Sequence, residues 1–535
     1  MATKNYVTRE SPPRARRVVL FLLLFLLLAF AVLLSERWQG SSALKLWKQE
    51  RALKGEIFEA QRLWPAVSPA SVEFSKKLDE VLKLLPPGYA RYVGMEGFVQ
   101  EERGRFRRGS QESRPRLANQ TNSTNTWQDL DTLVQQAQPA LVALRQMMKD
   151  PPSGVAYNIL ELLQSDSPTP NFVNVRLGAQ ALHTATIYDL HKGDLASASE
   201  DLVALQGFVK LNADDPTLVA FMIRIVVLGL SVDVSWDALQ ANGWTEQQLA
   251  TLQKACQQNV LLPQMPKAIE GERLRRLYNL RWFRSHSYDE WIGRWKPTLA
   301  AFGVNLDESQ EPVGPGLWRR WVYHPIWSFA WADQEELNYL QDTQPELKVW
   351  RQASWDASLI QFEEQLAKAH RNYIPPARSW RFYTVLPLWD QVSPQAAERD
   401  YPYADYTQVA TTWFKNLTLH DMVIAAIAIK RFELRYGKPP VSITQLAPEF
   451  LAAAPHDYID GRPLRYRLNP DNSFALYSVG DNTRDDGGNP LPDSGGGKDQ
   501  PNLPWAGRDW VWPRTSTPAP PAAPKTLTTS ASTAQ

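Results

Sequence analysis

Val18 to Leu34, VVLFLLLFLLLAFAVLL, carries no charged or strongly polar side chain. At ~1.5 Å of rise per residue, about 17 helical residues cover roughly 25 Å, the short end of what a bilayer core requires. A helix apolar on every face has no polar side to turn to water. The stretch also precedes any domain it could serve as a core helix. A transmembrane helix in contact with lipid through residues 18–34 is therefore expected, and it places every later segment.

Lys4, Arg9, Arg14, Arg16 and Arg17 precede the run against a single Glu10, whereas Glu36 and Arg37 nearly cancel behind it. The bias in Lys and Arg sets orientation. Residues 1–17 are thus expected in the cytoplasm, with everything from residue 35 on the far side. A cleaved signal peptide is the rival, with Ala29-Phe30-Ala31 as an A-x-A site. Apolar character continues past that point through Val32, Leu33 and Leu34, which favours an anchor. Either reading exports the bulk of the chain.

Some 500 residues follow, enough for two or three domains at ~100–200 residues each. With 58 basic against 57 acidic residues, there is no basic excess to support a nucleic-acid surface. The sole cysteine, Cys256, excludes an internal disulfide and any cysteine-cluster metal site. The 21 tryptophans point instead to large aromatic anchors within helical packing.

The spacing predicts helices through most of residues 36–408. A stalk from Trp38 to about Ala66 comes first, then a short helix from about Ser71 to Leu85. Residues 101–125 are polar and basic and read as a loop. A helix follows with Asn125 or Thr126 as cap, ended by Asp150-Pro151-Pro152. Two more run over about Val173–His191 and Asp194–Asn212, separated by Lys192-Gly193, with Asp194 capping the second. Small residues Ala196, Ala198 and Ala204 suggest α-hairpin packing, without a clean repeat period. Leu218 to Val234 is apolar enough to resemble a second span. Arg224 near its middle would cost ~2.5–3.5 kcal/mol on insertion, so a buried bundle helix is expected. Thr245 and Gln248 form a capping-box pair. A further helix is expected over about Pro345–Tyr373, with Pro345 in its first turn, and an irregular connector over 374–408.

From Gly271 to about Leu340 the chain is rich in Arg and Trp. Arg stacks on Trp and pairs with carboxylates, so this is either a cation–π-laced helix interface or a sugar- or lipid-headgroup surface.

The C-terminal stretch is more specific. A helix over about Leu417–Tyr436 stops at Gly437 and Pro439, and Ile443, Leu446 and Phe450 follow on a short helix. Pro455-His456-Asp457 and Asp460-Gly461 turn the chain. Arg462–Leu468 and Phe474–Val479 alternate as strands, an acidic glycine-rich loop covers 480–488, and Trp510-Val511-Trp512 returns as a third strand. The phrases RYGKPPVSITQLAPEFL, APHDYIDGRPLRYRL, FALYSVGDNTRDDGG and RDWVW lie in this order. The stretch 417–513 thereby resembles the soluble domain of type II secretion major pseudopilins. The resemblance implies a small α+β head, an inner-membrane protein of the bacterial envelope with its bulk in the periplasm, and calcium held by the acidic loop. Asp481, Asp485, Asp486 and Asp509 are the matching ligands, with a solvated acidic turn as the other reading. The chain departs from the family in its leader: Arg16 and Arg17 precede the apolar run, which contains no glutamate. The family's Gly-x-Asp-Gly step is altered at Asn482-Thr483, and residues 489–507 are inserted. After Arg514 the sequence reads as a disordered tail.

His183, His191, His286, His324, His370, His420 and His456 are scattered, and no H-E-x-x-H, G-x-S-x-G or phosphate-cradling loop occurs. The sequence therefore predicts a mainly α, single-pass membrane protein. It has a large extracytoplasmic helical domain and a small C-terminal α+β module with a short antiparallel sheet. Without catalytic candidates, a scaffold or interaction protein with envelope protein partners is expected, tied to a secretion or pilus-like machine. The alternative is an envelope enzyme acting on glycans, with a cleft lined by Trp282, Trp291, Trp318 and Trp327.

Overall fold

The computed structural model describes residues 13–87, 89, 127–159, 161, 172–290, 292–294, 317–353, 358–371, 406–490 and 508–513. The expected loop over 101–125, the caps Asn125 and Thr126, most of the 374–408 connector, Trp291 and the tail after Arg514 lie outside these residues.

The chain begins as one 40-residue helix, α1 (Pro13–Ala52), so the apolar run and the start of the stalk are a single rod. At ~1.5 Å per residue it is about 60 Å long. It stops short of the expected Ala66, because Lys54 and Gly55 turn the chain and Gly55 adopts φ +83°. A helical turn at Ala60–Leu63 then leads to α2 (Pro69–Leu82), capped by Ser68.

Beyond it lie α3 (Trp127–Met147), α4 (Phe172–Lys192), α5 (Leu195–Lys210), α6 (Leu218–Ala238) and α7 (Glu246–Gln257). The expected caps are present. The Asp194 carboxylate accepts from the amides of Ala196 and Ser197, both at 3.1 Å, and Thr245 and Gln248 close a capping box. Gly193 supplies the left-handed turn between α4 and α5 at φ +78°. Helix α5 lies close to α4 and to the end of α3 because glycine allows it. A Cβ on Gly207 would sit 2.2 Å from the Met148 carbonyl oxygen, and one on Gly178 would sit 2.5 Å from the Phe208 ring. Two described helices are long and apolar enough to span a membrane: Arg16–Ala52, whose apolar window is 0% buried, and Leu218–Ala238, whose window is 56% buried. The second is α6, a core helix, and its Arg224 donates from Nε to the Val209 carbonyl at 2.9 Å.

Next come α8 (Gln264–Ser285), α9 (Ala332–Ala353), α10 (Leu359–Arg371) and α11 (Thr407–Tyr436). Helix α9 is preceded by an unbroken helical stretch with two π-helical segments, Arg319–Tyr323 and Trp327–Trp331. The expected single helix from Pro345 to Tyr373 is corrected here. Pro345 lies inside α9, about three and a half turns past its start at Ala332, and α10 is a separate helix starting at Leu359. Proline removes one helical hydrogen bond. Packing between α1 and α8 holds α9 together regardless, with Arg273 donating to the Leu340 carbonyl at 3.0 Å.

Helix α11 runs ten residues earlier than the sequence suggested and ends at Gly437, φ +71°. After it, His456–Asp457, expected as a turn, is strand β1, because it pairs antiparallel with β2 (Arg462–Pro463) across the Asp460-Gly461 turn. The expected strand Arg462–Leu468 is thus divided into β2 and β3 (Arg465–Leu468). Strands β3, β4 (Phe474–Ser478) and β5 (Trp510–Trp512) form an antiparallel sheet with β4 in the centre. All five β4 side chains are buried.

One apolar core runs from Leu78 through α3–α7 and α11 to Trp512. The sheet is tied to the helices within it. Trp512 meets Trp236 of α6 edge-on at 6.0 Å, and Gln253 of α7 donates to the Phe450 carbonyl at 2.6 Å. A second, smaller apolar cluster joins α1, α8 and α9 through Leu44, Leu274, Leu277, Leu337 and Leu340.

Candidate functional site

The acidic loop is organised by Asp509, whose side chain is fully buried beside β5. Its carboxylate accepts from the amides of Gly488 at 2.7 Å, Asn489 at 2.9 Å and Asp486 at 3.3 Å. Burial pushes Asp509 above the usual carboxylate range, against the pull of those amides. Gly480 is required at the loop's start. It adopts φ +62°, and a Cβ there would lie 2.2 Å from the Arg508 carbonyl oxygen.

The other three predicted ligands occupy the same loop with separate partners. Asp481 faces Lys415 at 3.5 Å. Asp485 accepts from the Gly487 amide at 3.0 Å and lies 3.6 Å from Arg465 Nε. Asp486 accepts from Asn482 at 2.7 Å. Among the described residues no group of three or more His, Cys, Asp or Glu side chains is placed to hold a metal ion. Calcium needs six to eight converging oxygens. As folded, the oxygens of Asp509 accept from backbone amides and those of Asp485 and Asp486 from local donors.

Sequence reasoning missed the carboxylate on which the module turns. Asp457, fully buried in β1, accepts from the Ile459 amide at 3.1 Å, the Ser478 hydroxyl at 2.9 Å, the Val479 amide at 3.1 Å and Arg465 Nη1 at 2.7 Å. One side chain thereby binds the β1–β2 hairpin to the end of β4. Arg465 also pairs with Asp460. The only sequence signal was the D-x-x-D-G phrase, which reads equally well as a turn.

Two further charge clusters lie in the helical part. Arg145 of α3 grips Asp201 of α5 at 2.6 and 3.0 Å and reaches Asp189 of α4 at 3.4 Å. Burial, with Asp201 alongside, pushes Asp189 well above the usual carboxylate range. The second cluster is a ladder joining α1, α8 and α9. Glu56, just past α1, accepts from Arg273 at 3.2 Å, Gln344 at 2.6 Å and Arg351 at 2.8 Å. Burial opposes ionisation of Glu56, but Arg351 and its neighbours hold it below the ordinary range. Arg351 also pairs with Glu270 at 2.5 Å. One rung nearer the apolar run, Glu336 is shared by Lys48 and Arg281, then Arg284 pairs with Asp333 at 2.5 Å. At the end, Arg37 donates to the Phe329 carbonyl at 3.3 Å, and Phe30 stacks on Phe329 at 6.2 Å.

The tryptophans named for a glycan cleft have divided uses. Trp327 is buried and gives its indole N–H to Glu335. Trp282 stacks on His286 at 4.0 Å and lies under Arg294 at 4.4 Å. Trp318 is exposed. The acids near them are each engaged: Asp289 by Arg320 at 2.6 Å, Asp333 by Arg284, Glu335 by Trp327 and Glu336 by two cations. Of the histidines, His324 bonds to the Phe283 carbonyl at 3.0 Å, His191 stacks on Trp127 at 3.6 Å, and His420 is buried in α11. These are packing positions on different elements.

Comparison of the chain with protein-family models, with curated proteins and with solved structures returned no match.

Proposed function

We propose that this chain is a membrane-anchored scaffold of the bacterial envelope, with its N-terminus in the cytoplasm and its bulk in the periplasm. Its role is to hold a rigid helical body with a pseudopilin-like head at a set distance from the inner membrane, within a secretion or pilus-like machine. The observation that carries this reading is α1. An exposed apolar helix continues without a break into a polar half that is bolted to α8 and α9 by the Glu56 and Glu336 ion pairs. A flexible tether needs no such attachment, whereas a strut does. The order of helix, hairpin, central strand and returning Trp-rich strand in residues 417–513 supports the pseudopilin-like part of the proposal.

Topology is tested by adding protease to intact spheroplasts. The epitope-tagged C-terminus should be degraded and the N-terminal tail protected; a protected C-terminus overturns the reading. The machine is tested by crosslinking in cells and purifying the full chain from solubilised membranes. Recovery of secretion-system components is expected, and their absence counts against the assignment. Calcium belongs to the proposal only as a ligand that rearranges the 480–488 loop. A ligand that binds the native state alone raises its stability. The full chain should then melt higher in millimolar calcium than in chelator, and an unchanged melt retires the ion.

A further inference from the structure

Arg145 is one cation set between two acids. Its Nε and Nη2 hold Asp201 at 2.6 and 3.0 Å, and the same Nη2 lies 3.4 Å from Asp189. The two carboxyl groups converge on one nitrogen, and they are hydrogen-bonded to each other. Ionised carboxylates only accept, so that bond needs a proton on one of them. The charge count points the same way. Two carboxylates against one guanidinium leave an unbalanced negative charge in a place where the side chains of Asp201, Asp189 and Arg145 are 0%, 10% and 13% exposed.

The groups around the pair do not favour a second negative charge. Asp194 acts on Asp189 and Glu200 on Asp201, both from α5 and both acids. Tyr89 gives its hydroxyl to the Ala181 carbonyl at 3.3 Å and is itself pushed up by burial and by the two carboxyls. The other helices packed on α4 and α5 engage their charges elsewhere. On α2, Asp79 accepts from Asn174 at 2.6 Å, about four turns before Asp189. On α3, Asp131 faces Lys192 at 3.2 Å. On α6, Arg224 bonds at Val209, about two turns past Asp201, and on α7 Glu246 pairs with Arg431 at 2.5 Å. Burial raises both carboxyls of the pair; Asp201 raises Asp189 further, whereas Arg145 draws Asp201 back.

We propose that Asp189 and Asp201 hold one proton between them, donated by Asp189, and that this proton is the latch of the α3–α4–α5 junction. The latch opens in alkali. The proton leaves Asp189, the more exposed of the two acids, and passes to hydroxide. Two ionised carboxylates then face a guanidinium that Asp201 already engages through two bonds. Asp189 is repelled toward water, and α4 loses its tie to α3 and α5. The release is felt at the end of α4. Asp189 lies one turn before the Lys192-Gly193 turn, and its carbonyl accepts from the Asp194 amide at 2.9 Å. A carboxyl raised in the folded state loses its contribution to stability as pH rises, so the junction is closed at neutral pH and loosened in alkali. The device goes beyond the scaffold reading and does not depend on it.

Infrared difference spectra of the full chain between about pH 6 and pH 10 test the proton. The parent should lose a protonated-carboxyl stretch over this range. Asp189→Asn keeps a donor toward Asp201 but cannot ionise, and Asp201→Asn leaves Asp189 alone with Arg145 and ionised throughout. Each should remove that component of the spectrum, whereas Asp421→Asn, which removes a second buried acid raised to about 7, should leave it in place. Amide exchange read by mass spectrometry tests the latch. After correction for the intrinsic rate, peptides covering the end of α4 and the Gly193 turn should exchange severalfold faster at pH 10 than at pH 6 in the parent, with little change in Asp189→Asn. Peptides from α8 serve as the internal reference. A band that survives in both variants means that the pair releases no proton, and the proposal falls. A band that titrates while α4 keeps its protection overturns the latch. The two variants act at different residues, so a folding defect in one leaves the other to decide.

Discussion

The α1 side and the far side of this molecule are stabilised by different physics. Where α1, α8 and α9 meet, the apolar cluster is small, and the helices are joined by the ladder from Glu56 through Glu336 to Arg37. On the far side, α3–α7, α11 and the sheet share one large apolar core, into which charges enter in compact groups, Arg145 with Asp201 and Asp189, and Arg465 with Asp457 and Asp460. The difference shows what each side needs. A continuous core of Leu, Val and Trp supplies cohesion without direction. An ion pair supplies direction, since a fork of guanidinium donors fits its carboxylate at one register.

Breaking the ladder should have the largest effect. Arg273→Met leaves the buried Glu56 with fewer donors, and loss of one partner of a buried pair costs about 3–5 kcal/mol. Chemical denaturation of the full chain should show the α1–α8–α9 region unfolding first, while the far core keeps its protection from amide exchange. If both regions lose stability together, the contrast is wrong. On the far side the matching break is steric. Gly207→Ala drives a methyl into the Met148 carbonyl, and overpacking of this kind costs roughly 1–3 kcal/mol, which should appear as a lower melt with the ladder intact.

A pH series sharpens the comparison further, because the far core holds the adjacent pair His420 and Asp421. Burial lowers His420 to about 4 and raises Asp421 to about 7. The depressed histidine contributes stability that is present above its unfolded value of 6.5 and lost as pH falls toward 4. The raised carboxyl contributes stability that is present at low pH and lost as pH rises through about 7. Between those limits the two slopes oppose. From pH 6.5 to 8 Asp421 is the one of this pair that still titrates, and Asp189, pushed up to about 8, adds a loss of the same sign, so stability should decline there. Asp421→Asn should flatten that decline and gain about 1–2 kcal/mol over the parent at pH 8. An unchanged slope would assign the titration elsewhere. The smallest effect expected is that of Thr245→Ala, which removes the α7 cap at about 1 kcal/mol and should leave the ladder untouched.

Legibility followed sequence distance. The caps Ser68, Asp194 and Thr245 and the stop at Gly437 act through groups two to four residues away, and for Asp194, Thr245 and Gly437 the sequence alone located them. The α6 helix was assigned to the core because a mid-helix arginine is costly in lipid and cheap beside a carbonyl, and Arg224 found one. Pro345 was misplaced because the first-turn rule is local, whereas α9 is sustained by neighbours on α1 and α8. Asp457 was hidden for a related reason: a turn and a two-residue strand have the same local signature, and only pairing with Arg462–Pro463 separates them. The four loop aspartates were located as a group, but their partners could not be. Asp509 is bound by amides 20 to 23 residues away.

By itself the sequence determined an apolar helix at the N-terminus, a chain of amphipathic helices, and a strand-rich end. Each of these follows from side-chain periodicity and from backbone limits that act within a few residues. The tertiary structure alone decided that the polar half of α1 is clamped rather than free, that the strand-rich end shares the helical core, and that Phe329 of residues 317–331 stacks on Phe30. Those outcomes depend on which surfaces meet across hundreds of residues, as Glu56 meets Arg273 and Arg351, and burial energies choose among such meetings only once the whole chain is packed.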